Sequence, residues 1–260
     1  MFKHYIEDAY QAALLASQEI MAIYQTDFSF VTKDDHSPVT IADQKADVII
    51  RKYLKSKYPN FGFLTEESSD DFLRLNQDYV WVVDPIDGTK DFIAKNDEFT
   101  INIALIHQQQ VLVGLVHIPA KQDTYYAIKG EGSFHRFAGQ DKRIIVNQKV
   151  SQLTVLTSRF HLQPIEKDVI QKYQNLGKIT KIETFGSALK ACRIAEGLAE
   201  LSYRLSPGTK EWDTASSDLI VTEAGGFFLK PNKEKYLYNR RDVRNLEGYI
   251  IANRLENFLL

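Results

Sequence analysis

The sequence predicts a mixed fold, α+β in its first part and α/β in its second, and three observations carry that reading. Apolar residues recur at helical spacing between positions 6 and 24, a series of short β-rich segments fills 61–128, and beyond residue 150 strand-like and helix-like segments alternate.

The first stripe consists of Ile6, Ala9, Tyr10, Ala13, Leu14, Ile20, Met21 and Tyr24, which is the packing face of a helix. The polar stretch from Lys33 to Pro38 breaks it. A second helix starts near Thr40, where Thr-x-x-Asp resembles an N-terminal cap, and runs towards Tyr58. Strands are expected at 61–64, 79–83, 100–106, 111–118 and 124–128, and the four residues 107–110 suit a β-hairpin. Gly130 to Phe134 contains a Gly-x-Gly without a third glycine and reads as a loop. The second part offers a strand at 154–157, a helix at 164–173, a strand at 179–184, helices at 187–196 and 213–224, and a closing strand at 249–252. No Pro/Gly/Ser-rich linker separates the parts, so 1–150 and 151–260 are expected to be two subdomains of one unit.

Composition narrows the function. A net charge of -2 leaves no global positive field for nucleic-acid polymers or anionic membranes, so an anionic ligand needs local cations. Cys192 is the only cysteine, which excludes an intramolecular disulfide and a cysteine-rich zinc site. The chain shows no apolar signal core and no run of membrane-spanning length, so a cytoplasmic protein is expected, with peripheral attachment at the inner membrane left open. P-loop and Gly-x-Ser-x-Gly strings are absent.

The most informative stretch is Trp81-Val82-Val83-Asp84-Pro85-Ile86-Asp87-Gly88-Thr89-Lys90-Asp91-Phe92. An apolar strand meets an acid, and Pro85, which lacks an N–H, is expected to stop it. Gly88 permits a turn that aims Asp84 and Asp87 at one point and exposes the N–H groups of Gly88 and Thr89. Converging carboxylates repel unless a hard cation lies between them, and adjacent N–H groups suit a phosphate oxygen. Asp-Pro and Asp-Gly are also ordinary turn dipeptides, but the full string is far more specific.

That string resembles the signature of the inositol-monophosphatase superfamily of lithium-sensitive, metal-dependent phosphatases. Trp212-Asp213-Thr214-Ala215, running into Glu223-Ala224-Gly225-Gly226, resembles its second signature, and Thr65-Glu66-Glu67-Ser68 a third element. The resemblance spans nearly the whole chain. It implies a layered sandwich of helices and two sheets, as in inositol monophosphatase and fructose-1,6-bisphosphatase. It also implies Glu66, Asp84, Asp87, Asp213 and the carbonyl of Ile86 as ligands of two or three Mg2+ ions, with Asp84 bridging two of them. The residues alone do not choose between Glu66 and Glu67, and Asp213 taken alone reads rather as a helix N-terminal acid, a reading that its fit to the Trp-Asp-x-Ala pattern reverses. Thr89, supported by Asp43, matches the pair that orients the attacking water, although Asp43 is also a cap residue; Glu66 joins them as a catalytic residue.

How the motif continues selects a branch. Thr89-Lys90-Asp91-Phe92-Ile93, Ser158-Arg159-Phe160-His161 and Phe185-Gly186-Ser187-Ala188-Leu189-Lys190 resemble the 3'(2'),5'-bisphosphate nucleotidases. The implied reaction is hydrolysis of adenosine 3',5'-bisphosphate to AMP and phosphate, by in-line attack of a metal-activated water. The alternative is an inositol- or sugar-phosphate phosphatase. Gly88, Thr89, Ser158, Arg159, His161, Ser187, Lys190 and Asp213 are the implied substrate contacts, in a monomer or homodimer. Lys190 and Arg159 are candidates for the second phosphate, against the bland reading of solvated charges; Ser187 is equally a helix cap. Two departures stand out. Asp91 replaces a commoner glutamate, and Glu211 brings an extra acid next to Trp212-Asp213.

Overall fold

The structure is a computed structural model that describes residues 2–27, 29–32 and 38–260. The polar stretch 33–37 lies outside the described residues. Helix α1 (Lys3–Tyr24) buries Ile6, Ala9, Ala13 and Ile20 as its stripe predicts. A two-stranded ribbon, β1 (Phe30–Thr32) with β2 (Pro38–Thr40), leads into α2 (Ile41–Lys57). Thr40 caps α2, accepting from the Ala42 N–H while its own N–H donates to Asp43, so the expected capping box is present.

A seven-stranded sheet follows, built from β3 (Gly62–Thr65), β4 (Tyr79–Asp87), β5 (Thr100–His107), β6 (Gln110–Ile118), β7 (Asp123–Ile128), β8 (Gly132–Phe137) and β9 (Gln140–Ile144), with the short helix α3 (Thr89–Ile93) after β4. The strands lie in sequence order; β3 and β4 are parallel and the rest antiparallel. Two expectations are corrected here. Pro85 does not end the strand: β4 continues to Asp87 through a register shift between Asp84 and Asp87, and the proline sits in that bulge, where a missing N–H is tolerated. Gly130 to Phe134 is not all loop, because β8 begins at Gly132.

The second part contributes β10 (Leu153–Ser158), α4 (Pro164–Asn175), β11 (Ile179–Phe185), α5 (Leu189–Ala195), β12 (Leu201–Arg204), β13 (Thr209–Lys210), α6 (Glu211–Glu223), β14 (Phe227–Leu229), β15 (Arg244–Asn245) and β16 (Tyr249–Ala252). A five-stranded sheet runs β11-β10-β12-β16-β14, parallel across the first three and antiparallel beyond, while β13 and β15 form a separate ribbon. The helix expected from Ser187 starts two residues later. Ser187 has a φ of 43°, a left-handed backbone that cannot continue into a helix.

Strand alternation sorts the side chains into layers. Trp81, Val83, Ile101, Ile103 and Leu105 face α1 and α2 in one core. Their neighbours Val80, Val82, Ala104 and Ile106 face the other way, onto α5 and α6, whose far side meets Phe228 and Ile251 of the smaller sheet. Leu153, Val155, Leu201 and Ile250 form a third core with Ile170 of α4 and Phe258. Helices and sheets therefore alternate in five layers, and α6 lies sandwiched between the sheets.

The larger sheet and α6 meet closely at Gly114 of β6, where a Cβ would fall 2.8 Å from the carbonyl oxygen of Ser216 on α6. Gly114→Ala should therefore push α6 off the sheet and cost about 1–3 kcal/mol, as overpacking does. A fall of several degrees in the thermal midpoint checks this, and an unchanged midpoint would contradict it.

Candidate active site

The β4 bulge is the local device that builds the site. It turns Asp84 and Asp87 towards the N-terminus of α6, and one carboxylate oxygen from each of Asp84, Asp87 and Asp213 lies within 4.8 Å of the others. Asp84 is 1% exposed; its Oδ1 accepts from the Ile86 N–H at 3.1 Å, while its buried Oδ2 has no hydrogen-bond partner. Asp87 accepts from Asn102 at 3.2 Å, and Asp213 takes the Lys210 N–H at 2.5 Å. Asp213 is thus a helix-start acid and a member of the cluster together. A buried, unpartnered oxygen amid three acids fits a hard divalent cation, since no cheaper partner removes the repulsion.

Glu66 stands outside that trio but lines the same cavity of about 600 Å³, whereas Glu67 does not line it. Burial pushes all three clustered carboxyls up, Asp87 to about 6 against the pull of Lys190 and Asn102. For Asp84 and Asp213 the charges of Glu66 and Asp87 add to the effect.

Asp43 divides its two oxygens between two tasks. Oδ2 takes the Thr40 N–H at 2.8 Å and the Thr40 hydroxyl at 2.6 Å, and Oδ1 accepts from Thr89 Oγ1 at 3.2 Å. The Thr89 hydroxyl also lies 3.4 Å from the Ile86 carbonyl. Gly88, at φ 88°, makes the turn into α3 with its Cβ position 3.2 Å from Ser187.

The implied substrate contacts separate into two groups. Gly88, Thr89, Ser158, His161, Ser187, Lys190 and Asp213 line the cavity; Arg159 does not. Its guanidinium donates to Glu98 at 2.7 Å and lies 3.4 Å from Asp91. Glu98 also accepts the Gly186 N–H, and its carbonyl accepts the Ser187 hydroxyl, so Arg159 belongs to a staple across the site. Asp91 fits beneath it: a Cβ at Gly186 would meet its carboxylate at 2.6 Å. Lys190 donates to the carbonyls of Ser187 and Phe185 at 2.7 and 3.3 Å.

Sequence reasoning missed Arg204, Lys90, Lys210 and Arg244, all of which line the cavity. Arg204 donates to the His161 carbonyl at 2.8 Å. Desolvation, and then the charges of Lys90, Arg204 and Lys190, lower the His161 pKa and keep its ring neutral. Asn102 was also missed, although a lone amide in the apolar run Thr100-Ile101-Asn102-Ile103-Ala104 is a visible signal. Glu211 is corrected: it adds no charge to the cavity. It is fully buried and accepts from the N–H groups of Asn239 and Arg240 and from the Arg240 guanidinium.

Comparison with known proteins decides the family. A profile of the inositol monophosphatase family matches residues 2–258. The chain belongs to that family. It is 37% identical over 223 residues to the 3'(2'),5'-bisphosphate nucleotidase CysQ of Salmonella typhimurium, covering 85% of this chain and 88% of that one. The crystal structure of CysQ from Bacteroides thetaiotaomicron superposes with a TM-score of 0.85 at 33% identity, over 98% of this chain and 99% of that one. The extragenic suppressor protein suhB from Bartonella henselae gives 0.80 at 27% identity, over 96% and 93%. Among the described residues, no helix is long and apolar enough to cross a membrane.

The raised carboxyls give a pH prediction. Each holds its proton to higher pH in the folded chain than in the unfolded one. The cation-free fold therefore binds more protons than the unfolded chain between the ordinary carboxyl range and about 6, and loses stability as pH rises through that window. A divalent cation binds the ionised cluster, so Mg2+ should raise the thermal midpoint far more at pH 8 than at pH 5, relative to chelated protein. Equal shifts at both pH values would contradict the cluster as the cation site.

Proposed function

We propose that this phosphatase-family chain is a Mg2+-dependent 3'(2'),5'-bisphosphate nucleotidase that converts adenosine 3',5'-bisphosphate to AMP and phosphate. The observation that carries the reading is that one cavity carries both kinds of charge. Asp84, Asp87, Asp213 and Glu66 line it together with Lys90, Lys190 and Arg204, whose charges act on His161, and Lys190 acts on Asp87 as well. A phosphomonoester needs the first set and a cation, while a second phosphate on the same ribose needs the second set. The similarity to CysQ nucleotidases supports the same substrate class.

Asp84, Asp87, Asp213, Glu66 and the Ile86 carbonyl would hold the Mg2+ ions. Bound there, they supply positive charge to the phosphoryl oxygens and lower the pKa of a water. The chain's own residues do the rest. Thr89 gives its hydroxyl proton to Asp43 Oδ1, which leaves the Oγ1 lone pairs turned outward to accept a proton from the attacking water. Attack on phosphorus breaks the bond to the ribose oxygen, which takes a proton from solvent and leaves as a hydroxyl, while the proton passed to Asp43 returns to solvent. The N–H groups of Gly88 and Thr89, at the turn into α3, suit the equatorial oxygens.

Asp84→Asn should lower kcat/KM by about a thousandfold or more, the loss of several kcal/mol of charge stabilisation. Near-normal phosphate release would remove the metal assignment. Substrate class is tested on adenosine 3',5'-bisphosphate, 3'-AMP and inositol 1-phosphate, where the bisphosphate should have the highest kcat/KM. Arg204→Ala should cost the bisphosphate about tenfold to a hundredfold and 3'-AMP far less, because only the former carries the group it reads. Arg159→Ala should penalise both substrates alike, since its guanidinium is held by Glu98 and Asp91. Equal losses in Arg204→Ala would move the second-phosphate site elsewhere.

A further inference from the structure

Helix α2 carries two buried acids on one face, one turn apart, and only Asp43 has a place in the chemistry so far. Asp47 is 2% exposed. Its Oδ2 accepts the Ser68 hydroxyl at 2.8 Å and lies 3.0 Å from Arg51 Nε, while its Oδ1 is buried without a hydrogen-bond partner. A carboxylate buried with one oxygen unpartnered is costly, and the Arg51 and Ser68 contacts at its other oxygen offset only part of that.

The segment it reaches is the one that presents Glu66. Parallel pairing of β3 with β4 ends at Thr65↔Val83, and the Glu66 N–H extends it by donating to the Val83 carbonyl at 3.2 Å. The sheet therefore fixes the chain on the near side of Glu66. On the far side, two residues on, Ser68 is fixed by Asp47. Beyond that, Asp70 is held by Arg74 at 2.7 Å, so the rest of the loop is anchored separately.

We propose that Asp47 is a positioning residue, which acts through Ser68 to hold the 66–68 turn so that Glu66 faces the cation site. The inference rests on the reading of Glu66 as a cation ligand. One helix face then sets both halves of the chemistry, Asp43 orienting Thr89 and Asp47 orienting Glu66. Neither Asp47 nor Ser68 touches the substrate cavity, so any effect on cation binding must pass through the turn.

The test is calorimetric titration of the full chain with Mg2+ alone, in the absence of substrate, beside the thermal midpoint of the chelated protein. Ser68→Ala removes one hydroxyl from a half-buried position and should weaken Mg2+ binding about tenfold, the scale for groups that orient metal ligands. The chelated protein should keep a near wild-type midpoint. Asp47→Asn retains an acceptor oxygen and should fall between the two, and the double variant should bind no more weakly than Ser68→Ala, because both act through one bond. Glu66→Gln is the reference for a lost ligand. If Glu66→Gln weakens Mg2+ and Ser68→Ala does not, Asp47 has only a structural role and the inference is overturned. Unchanged affinity in Glu66→Gln would overturn the cation role of Glu66, and this inference with it.

Discussion

Mutual repulsion among converging carboxylates is the constraint around which this molecule is organised. Three acids whose oxygens meet within 4.8 Å, one of them with an unpartnered buried oxygen, work against the fold in the absence of a cation. The chain holds them together by rigid means. Asp84 and Asp87 sit in a bulged strand flanked by packed cores on both faces, and Asp213 sits in the first turn of a helix clamped between two sheets. Gly114 shows how little slack that clamp leaves. Such a site is preorganised for charge it does not itself contain, which is what electrostatic catalysis requires.

The two parts of the chain are coupled at the same place. The Glu98 side chain lies in the first part, yet accepts from Arg159 and Gly186 of the second, and Ser187 donates back to the Glu98 carbonyl. On the other flank, buried Glu211 gathers Asn239 and Arg240, which in turn meet Arg74. An acid beside Trp212-Asp213 looks like added charge at the site, but the loop at 239–240 uses that charge entirely. Sequence proximity gives a poor account of electrostatics when successive helical residues point about 100° apart.

This explains which parts of the structure were legible in the sequence. The α1 stripe, the capped start of α2 and the hairpin at 100–118 were, because each combines a period with a terminator. Strand β9, Gln140–Ile144, was not: four of its five residues are exposed and polar, as suits a charged sheet edge. Strand β12 is four residues long, and missing it hid Arg204, the cation it delivers to the cavity. Arg159 illustrates the converse. Its motif is plain, but a motif shows a charge and not the carboxylates that bind it. Of the candidate cluster, the acids Asp84, Asp87 and Asp213 were all named from motifs, while Asn102, which donates to Asp87, and Asp47, which accepts from Ser68, were not read as site residues.

The ambiguity of Asp43 and Asp213 has a physical origin. Asp43 reads from sequence as a cap or a catalytic group and Asp213 as a helix-start acid or a metal ligand, and in the structure each carboxylate makes a helix-start contact and a contact in the candidate site. Asp43 caps α2 with Oδ2 and holds Thr89 with Oδ1; Asp213 accepts the Lys210 N–H at the start of α6 and joins the acid cluster. A helix N-terminus favours the ionised carboxylate, and ionisation is what both proposed roles need. The cap also removes rotamer freedom from the side chain, so the chemistry inherits an oriented group at no further entropic cost. A site assembled this way couples folding to function at two points, and a substitution at either residue changes helix initiation and site geometry together. Asp47 has no such cap to hold it, and its place is set instead by Arg51 and Ser68 on the same helix face and the adjoining turn.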